Sequence, residues 1–202
     1  MTDLMTALAT PKKTKAPTDP NQKILKALAR AGWIMDKRGE KEMIVRQYDE
    51  EVFITNTYMM RRFERYDDVS YAIRSIIPDT ENVEEVMSTG FTMFLSAGKG
   101  GEWNPGGRNG TDMKNVFPEA VPTTEITSWE PNEDDSSQVF GFTDDGIRVL
   151  LNAKYLKACV DGITSPRVWV TVSDDGDVRK PVVVTGEYGL WIYSILMPVR
   201  IP

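Results

Sequence analysis

Residues 146–202 carry the pattern that most restricts the fold of this chain. A strand-like run over 147–151 leads into Asn152, a residue type that caps helices, and Gly162 is placed to end the helix that follows. Residues 167–172 and 180–185 alternate as two strands around an Asp-Gly turn, and a further apolar run closes the chain. The order predicted is strand, helix, hairpin and closing strand. The helix has a stripe of apolar residues: Tyr155, Leu156, Cys159 and Val160.

A similar unit is predicted near the start of the chain. Asn21 can cap a helix that runs to about Ala31, with Gly32 stopping it, and strands follow at 43–48 and 52–55. One face of each helix is cationic although the chain is acidic overall, with Asp161 the exception. The residues on these faces are Lys23, Lys26 and Arg30 in the first helix and Lys154 and Lys157 in the second.

The segments around these units are less regular. Residues 1–20 contain three prolines and three lysines and predict a flexible basic tail. Residues 67–90 are partly helical in spacing, 90–97 predict a strand, and 98–110 are glycine-rich and predict a loop or insertion. We therefore expect a tail at 1–20 and a single domain at 21–202, with an enlarged first half that holds an insertion at about 64–115.

Composition excludes several functional classes. The chain has no histidine and one cysteine, Cys159, so His-based catalytic triads and ordinary zinc sites cannot form. We expect no catalytic residue, no metal site and no cofactor, although carboxylates could hold Mg²⁺. No apolar run approaches a membrane span, no secretory signal is expected, and the single cysteine agrees with a reducing, cytoplasmic setting. The net charge of −6 means that DNA contact would need the cations clustered on one surface.

The closing segment resembles the end of the last domain of bacterial DNA sliding clamps, the processivity subunits of replicative polymerases. Four segments look like clamp segments, in clamp order. They are residues 24–32 with the following strands, the run Val52-Phe53-Ile54-Thr55-Asn56-Thr57-Tyr58-Met59-Met60, the run Phe117-Pro118-Glu119-Ala120-Val121-Pro122, and residues 151–162 with 167–200, including Met197-Pro198-Val199-Arg200.

The resemblance implies an α+β fold of two helix-plus-strands repeats, with helices on one face of antiparallel sheets. It implies that Lys23, Lys26, Arg30, Lys154 and Lys157 contact double-stranded DNA without reading its sequence. It also implies an apolar cleft for short peptides of a DNA polymerase or a clamp loader. The candidate cleft residues are Thr55, Thr57, Tyr58, Pro118, Met197, Pro198 and Val199.

Two functions follow as expectations. The first is a non-catalytic processivity factor, phage-encoded and acting in the bacterial cytoplasm, that forms a homo-oligomeric ring around DNA. With one domain per chain, a ring would need roughly six copies, head to tail. The alternative is a solitary clamp-like protein that binds and redirects host replication or transcription machinery through its cleft or an edge strand. A small carboxylate-dependent enzyme is a third hypothesis.

Overall fold

The computed structural model describes residues 41–75, 77–95, 101–104, 113–173, 178, 180–189 and 191–199. The described part of the chain is α+β, with antiparallel strands and short helices. It forms two compact units, divided in the sequence between Phe117 and Pro118. We call these the N-terminal unit and the C-terminal unit. The predictions for the tail at 1–20 and for the first helix at 21–31, with its three cations, lie outside the described residues.

The N-terminal unit is built on an antiparallel sheet in the order β5-β4-β1-β2-β3. Two short helices and a 3-10 turn, Met113–Val116, complete it. The elements are β1 (Lys41–Tyr48), β2 (Glu51–Thr55), β3 (Met59–Glu64), α1 (Asp68–Arg74), α2 (Val83–Thr89), β4 (Phe91–Leu95) and β5 (Gly101–Asn104).

Local sequence accounts for the helix starts in this unit. The Asp67 carboxylate accepts a hydrogen bond from the Val69 amide at 2.7 Å, which caps α1. The Asn82 side chain accepts from the Glu85 amide and caps α2 in the same way. Both helices are only seven residues long. Helices of this length are marginal in isolation, so packing against the sheet must hold them.

The C-terminal unit holds a second antiparallel arrangement, in the order β11-β10-β9-β6-β7-β8. One helix, α3 (Ala153–Val160), packs against strands of this unit. The strands are β6 (Thr124–Pro131), β7 (Gln138–Thr143), β8 (Arg148–Asn152), β9 (Arg167–Val170), β10 (Val182–Thr185) and β11 (Ile192–Leu196).

Helix α3 follows the sequence prediction closely. The Asn152 side chain accepts from the Tyr155 amide at 3.1 Å, and Gly162 adopts φ +78° after the last turn. Cys159 is fully buried, and its carbonyl accepts a hydrogen bond from the Ser194 hydroxyl at 3.0 Å. This bond ties α3 to β11. Cys159 is therefore a small core residue.

Two local predictions need correction. The glycine-rich stretch is not a loop throughout, because residues 101–104 form β5 and pair with Thr92–Leu95. The closing strand ends at Leu196, before Met197. Pairing with a neighbouring strand sets both of these bounds, and the alternation of side chains within one strand does not encode that pairing. The stretch 67–90, which was predicted to be partly helical, contains two separately capped helices.

Candidate functional site

A cavity of about 300 Å³ lies within the N-terminal unit. Ile44, Thr55 and Met60 sit side by side across β1, β2 and β3, because the strand register pairs Ile44 with Thr55 and Thr55 with Met60. The other lining residues are Val45, Arg46, Thr57, Thr89, Gly90, Phe91, Met113 and Val116. Most of these side chains are apolar, and this size is at the lower end of the range for small-ligand pockets. The cavity can therefore accept one or two apolar side chains.

The turn between β2 and β3 forms one rim of this cavity. The Thr55 hydroxyl donates to the Met59 carbonyl at 2.8 Å and accepts from the Thr57 amide at 3.0 Å. The Asn56 side chain accepts from the amides of Tyr58 and Met59. Thr57 is held at φ +75°, in the left-handed region that β-branched residues rarely adopt. These bonds fix the rim and store backbone strain in it.

Arg46 supplies a positive charge to the cavity. Its Nε donates to the Ser88 carbonyl at 3.1 Å, near the end of α2, and its guanidinium lies 4.9 Å from the centre of the Tyr48 ring. Among the side chains that the structure describes, no carboxylate lies within 4.0 Å of Arg46. An anionic group on a ligand could therefore pair with Arg46.

A network of charged side chains holds the other end of α2. Glu84 accepts from Arg74 at 2.7 Å and from Arg65 at 2.9 Å, and Arg74 also donates to the Gln47 side chain. The hydrogen bond from Arg74 is the main cause that lowers the pKa of the Glu84 carboxyl below its ordinary value of 4.5, and desolvation opposes it. Glu84 is thus ionised at neutral pH and links α2 to α1 and β1.

The predicted peptide cleft is divided between the two units. Thr55 and Thr57 line the cavity, whereas Tyr58 is 60% exposed and does not line it. The other predicted cleft residues lie in the C-terminal unit: Pro118, Met197, Pro198 and Val199. A cleft formed by all seven residues stays a prediction.

The segment after β11 has a specific partner within its own unit. The Val199 amide donates to the Leu150 carbonyl at 2.8 Å, which places this residue beside β8. Pro198 has no amide hydrogen to donate, and the Met197 side chain is 43% exposed. The Met-Pro-Val motif therefore leaves β11 and contacts β8.

The two predicted DNA-contacting lysines in the C-terminal unit differ in their surroundings. Lys154 is exposed on α3. Lys157 is half-buried, and its Nζ lies 3.0 Å from the Asp161 carboxylate one turn further along. Lys157 is therefore already paired with an anion. Lys23, Lys26 and Arg30 lie outside the described residues.

Carboxylates pair with many of the other cations in the described part of the chain. These ion pairs include Arg62–Glu51, Arg65–Glu84, Arg74–Glu84 and Arg167–Glu125. Within that same part, no group of three or more His, Cys, Asp or Glu side chains is placed to hold a metal ion. No helix among the described residues is long and apolar enough to span a membrane.

Sequence reasoning missed most of the cavity lining. Arg46, Met60, Phe91 and Met113 were not identified as site residues, although the β1–β2 hairpin that places Arg46 was predicted. The alternation of β1 puts Arg46 on the same face as Ile44, and Ile44 pairs with Thr55, a predicted cleft residue. That strand register was the one feature of the sequence that could have identified Arg46 as a site residue. Nothing in the sequence brings Met113 to the same place.

No protein-family model matches the chain, and no curated protein matches it. Among solved structures, the chain is similar to the beta clamp of Helicobacter pylori, crystallised with 3,4-difluorobenzamide. The identity is 9%, the TM-score is 0.39, and the match covers 95% of this chain and 69% of the clamp. At these values the likeness is a weak one of overall fold.

Proposed function

We propose that this protein is a non-catalytic, clamp-like accessory factor of DNA replication that binds short peptide segments of its partners, a DNA polymerase or a clamp loader. The cavity of the N-terminal unit is the observation that carries the proposal. Thr55 and Thr57, which the sequence resemblance places in a peptide cleft, both line it. An apolar cavity lined by two methionines, with a hydrogen-bonded turn at its rim, suits a peptide anchor side chain.

The chemistry of the lining indicates which peptides fit. Ile44, Met60 and Phe91 provide apolar surface for a Leu or Phe side chain, and Arg46 can pair with a neighbouring carboxylate. The preferred segment is therefore an apolar anchor followed by an acidic residue. An interface this small implies weak binding.

Methionine methyl NMR tests the peptide site directly. The probe is a hexapeptide with the order Ala-Ala-Leu-Phe-Asp-Ala, titrated into protein labelled at the methionine methyl groups. We expect the signals of Met60 and Met113 to move on binding, while that of Met87, which is fully buried and does not line the cavity, stays in place. Replacement of Asp by Asn in the peptide should weaken binding. If neither the Met60 signal nor the Met113 signal moves, the cavity is excluded as the site.

The proposal extends to DNA tethering by a homo-oligomeric ring. The exposed Lys154 supports it, together with the predicted cations Lys23, Lys26 and Arg30. Binding to duplex DNA should be weak, salt-sensitive and independent of sequence. Light scattering across a wide concentration range tests the ring, and a strict monomer that cannot be assembled on DNA argues against it.

The alternative is a solitary interaction protein that redirects host machinery through the same cavity. The pairing of Lys157 with Asp161 favours it, because this pairing reduces the positive charge that α3 can offer to DNA. The charge reversal Lys154→Glu distinguishes DNA tethering from the alternative function. Loss of DNA association with peptide binding intact supports tethering, whereas cellular activity that survives the reversal supports the alternative.

A further inference from the structure

Helix α2 forms part of the cavity wall and is attached at both of its ends. Its last residue, Thr89, and the following Gly90 line the cavity. Near that end the Ser88 carbonyl accepts the hydrogen bond from Arg46, and near the start Glu84 bonds Arg74 and Arg65. The wall and the orientation of Arg46 therefore depend on where α2 lies.

The attachment points fall on one face of the helix. Glu84 and Ser88 are four residues apart, so they lie one turn and about 6 Å apart along the axis. Met87, between them, is fully buried and packs into the core of the unit. A seven-residue helix has little stability of its own, so these contacts decide its position.

The charged end of α2 is tied to α1 and, through it, to β1. Arg74 is the last residue of α1, and its guanidinium bonds Glu84 and Gln47, a buried residue of β1. Gln47 follows Arg46 directly in the same strand. The β1 partner of Arg74 and the β1 side chain bonded to the end of α2 are therefore neighbours in sequence.

We propose that Glu84 and Arg74 are positioning residues for the peptide cavity: they set the place of α2 and, through the Ser88 carbonyl, the orientation of Arg46. This inference rests on the proposed peptide-binding function. Neither side chain lines the cavity, so neither touches the bound peptide. Loss of their pairing should alter the cavity without removing any lining group.

The substitution Glu84→Gln tests the inference, with Glu85→Gln as the matched control. Both remove one negative charge from the first turn of α2, but no ion pair joins the Glu85 carboxylate to a described residue. We expect Glu84→Gln to lower the affinity for the Ala-Ala-Leu-Phe-Asp-Ala peptide roughly three- to tenfold and Glu85→Gln to leave the affinity unchanged. Arg74→Lys, which keeps the positive charge but loses the forked geometry of the guanidinium, should lower the affinity as well.

A spectroscopic readout on the free protein separates positioning from general destabilisation. Glu84→Gln should shift the Met113 methyl signal at temperatures well below unfolding, and Glu85→Gln should not. If Glu84→Gln and Glu85→Gln bind the peptide with the same affinity and have the same methyl chemical shifts, the positioning role is wrong. If the unaltered protein binds no peptide, the proposed function fails, and the methyl signals of the free variants still decide whether Glu84 sets the cavity wall.

Discussion

The Thr57 amide donates a hydrogen bond to the Thr55 hydroxyl at 3.0 Å while Thr57 itself sits at φ +75°. A β-branched residue in this region costs about 1–2 kcal/mol relative to ordinary backbone. The bonds from Thr55 and Asn56 maintain the conformation against that cost.

Replacement of Thr57 by Asn should therefore stabilise the protein. Asn tolerates the left-handed region, so we expect the free energy of unfolding to rise by about 1 kcal/mol in urea denaturation. Thr57→Val keeps the β-branched side chain and serves as the control, for which we expect no gain in the free energy of unfolding. An equal effect of the two substitutions would mean that backbone strain at this position is not the cause.

Gly141 on β7 should not tolerate a side chain. A Cβ atom there would lie 2.8 Å from Cγ2 of Ile126 and 3.0 Å from the Trp129 ring. We expect Gly141→Ala to lower the free energy of unfolding by about 1–3 kcal/mol through overpacking. In a double-mutant cycle, Gly141→Ala with Ile126→Ala should cost less than the sum of the two single changes. Strict additivity would contradict the steric explanation.

The Glu84 carboxyl should contribute a pH-dependent part of the stability. Its pKa is lowered in the folded protein, mainly by the hydrogen bond from Arg74, so its contribution is full above the ordinary value of 4.5. The contribution is lost as the pH falls through the folded pKa. We expect Glu84→Gln to be less stable than the unaltered protein at pH 7 and the difference to shrink under acid. A difference that is constant across this pH range would show that charge is not involved.

Removal of the Asp161 charge should free Lys157 for DNA if α3 faces DNA. Asp161→Asn breaks the 3.0 Å ion pair, so duplex affinity should rise at low salt, and the slope of log affinity against log salt should steepen by about one phosphate contact. Fluorescence anisotropy on random-sequence duplexes measures both quantities. Asp134→Asn is the control, because it removes the same charge from an exposed turn. Equal effects of the two changes would indicate net charge alone.

Local features of the fold could be predicted because they depend on neighbouring residues. The Asn152 cap, the Gly162 stop and the β1–β2 hairpin are encoded within a few positions each. Strand β5 was missed because four residues in a glycine-rich stretch carry no periodicity, and their strand character comes from pairing with β4.

The candidate site shows the same division. The sequence by itself indicated Thr55 and Thr57 as candidate site residues and predicted the apolar strands around them. It also excluded histidine chemistry. Only the tertiary structure decided that Arg46, Phe91 and Met113 line a cavity with those threonines and that Glu84 holds α2. Residues far apart in the chain share no local pattern, so their contact depends on strand register and helix packing and emerges only when the whole unit folds.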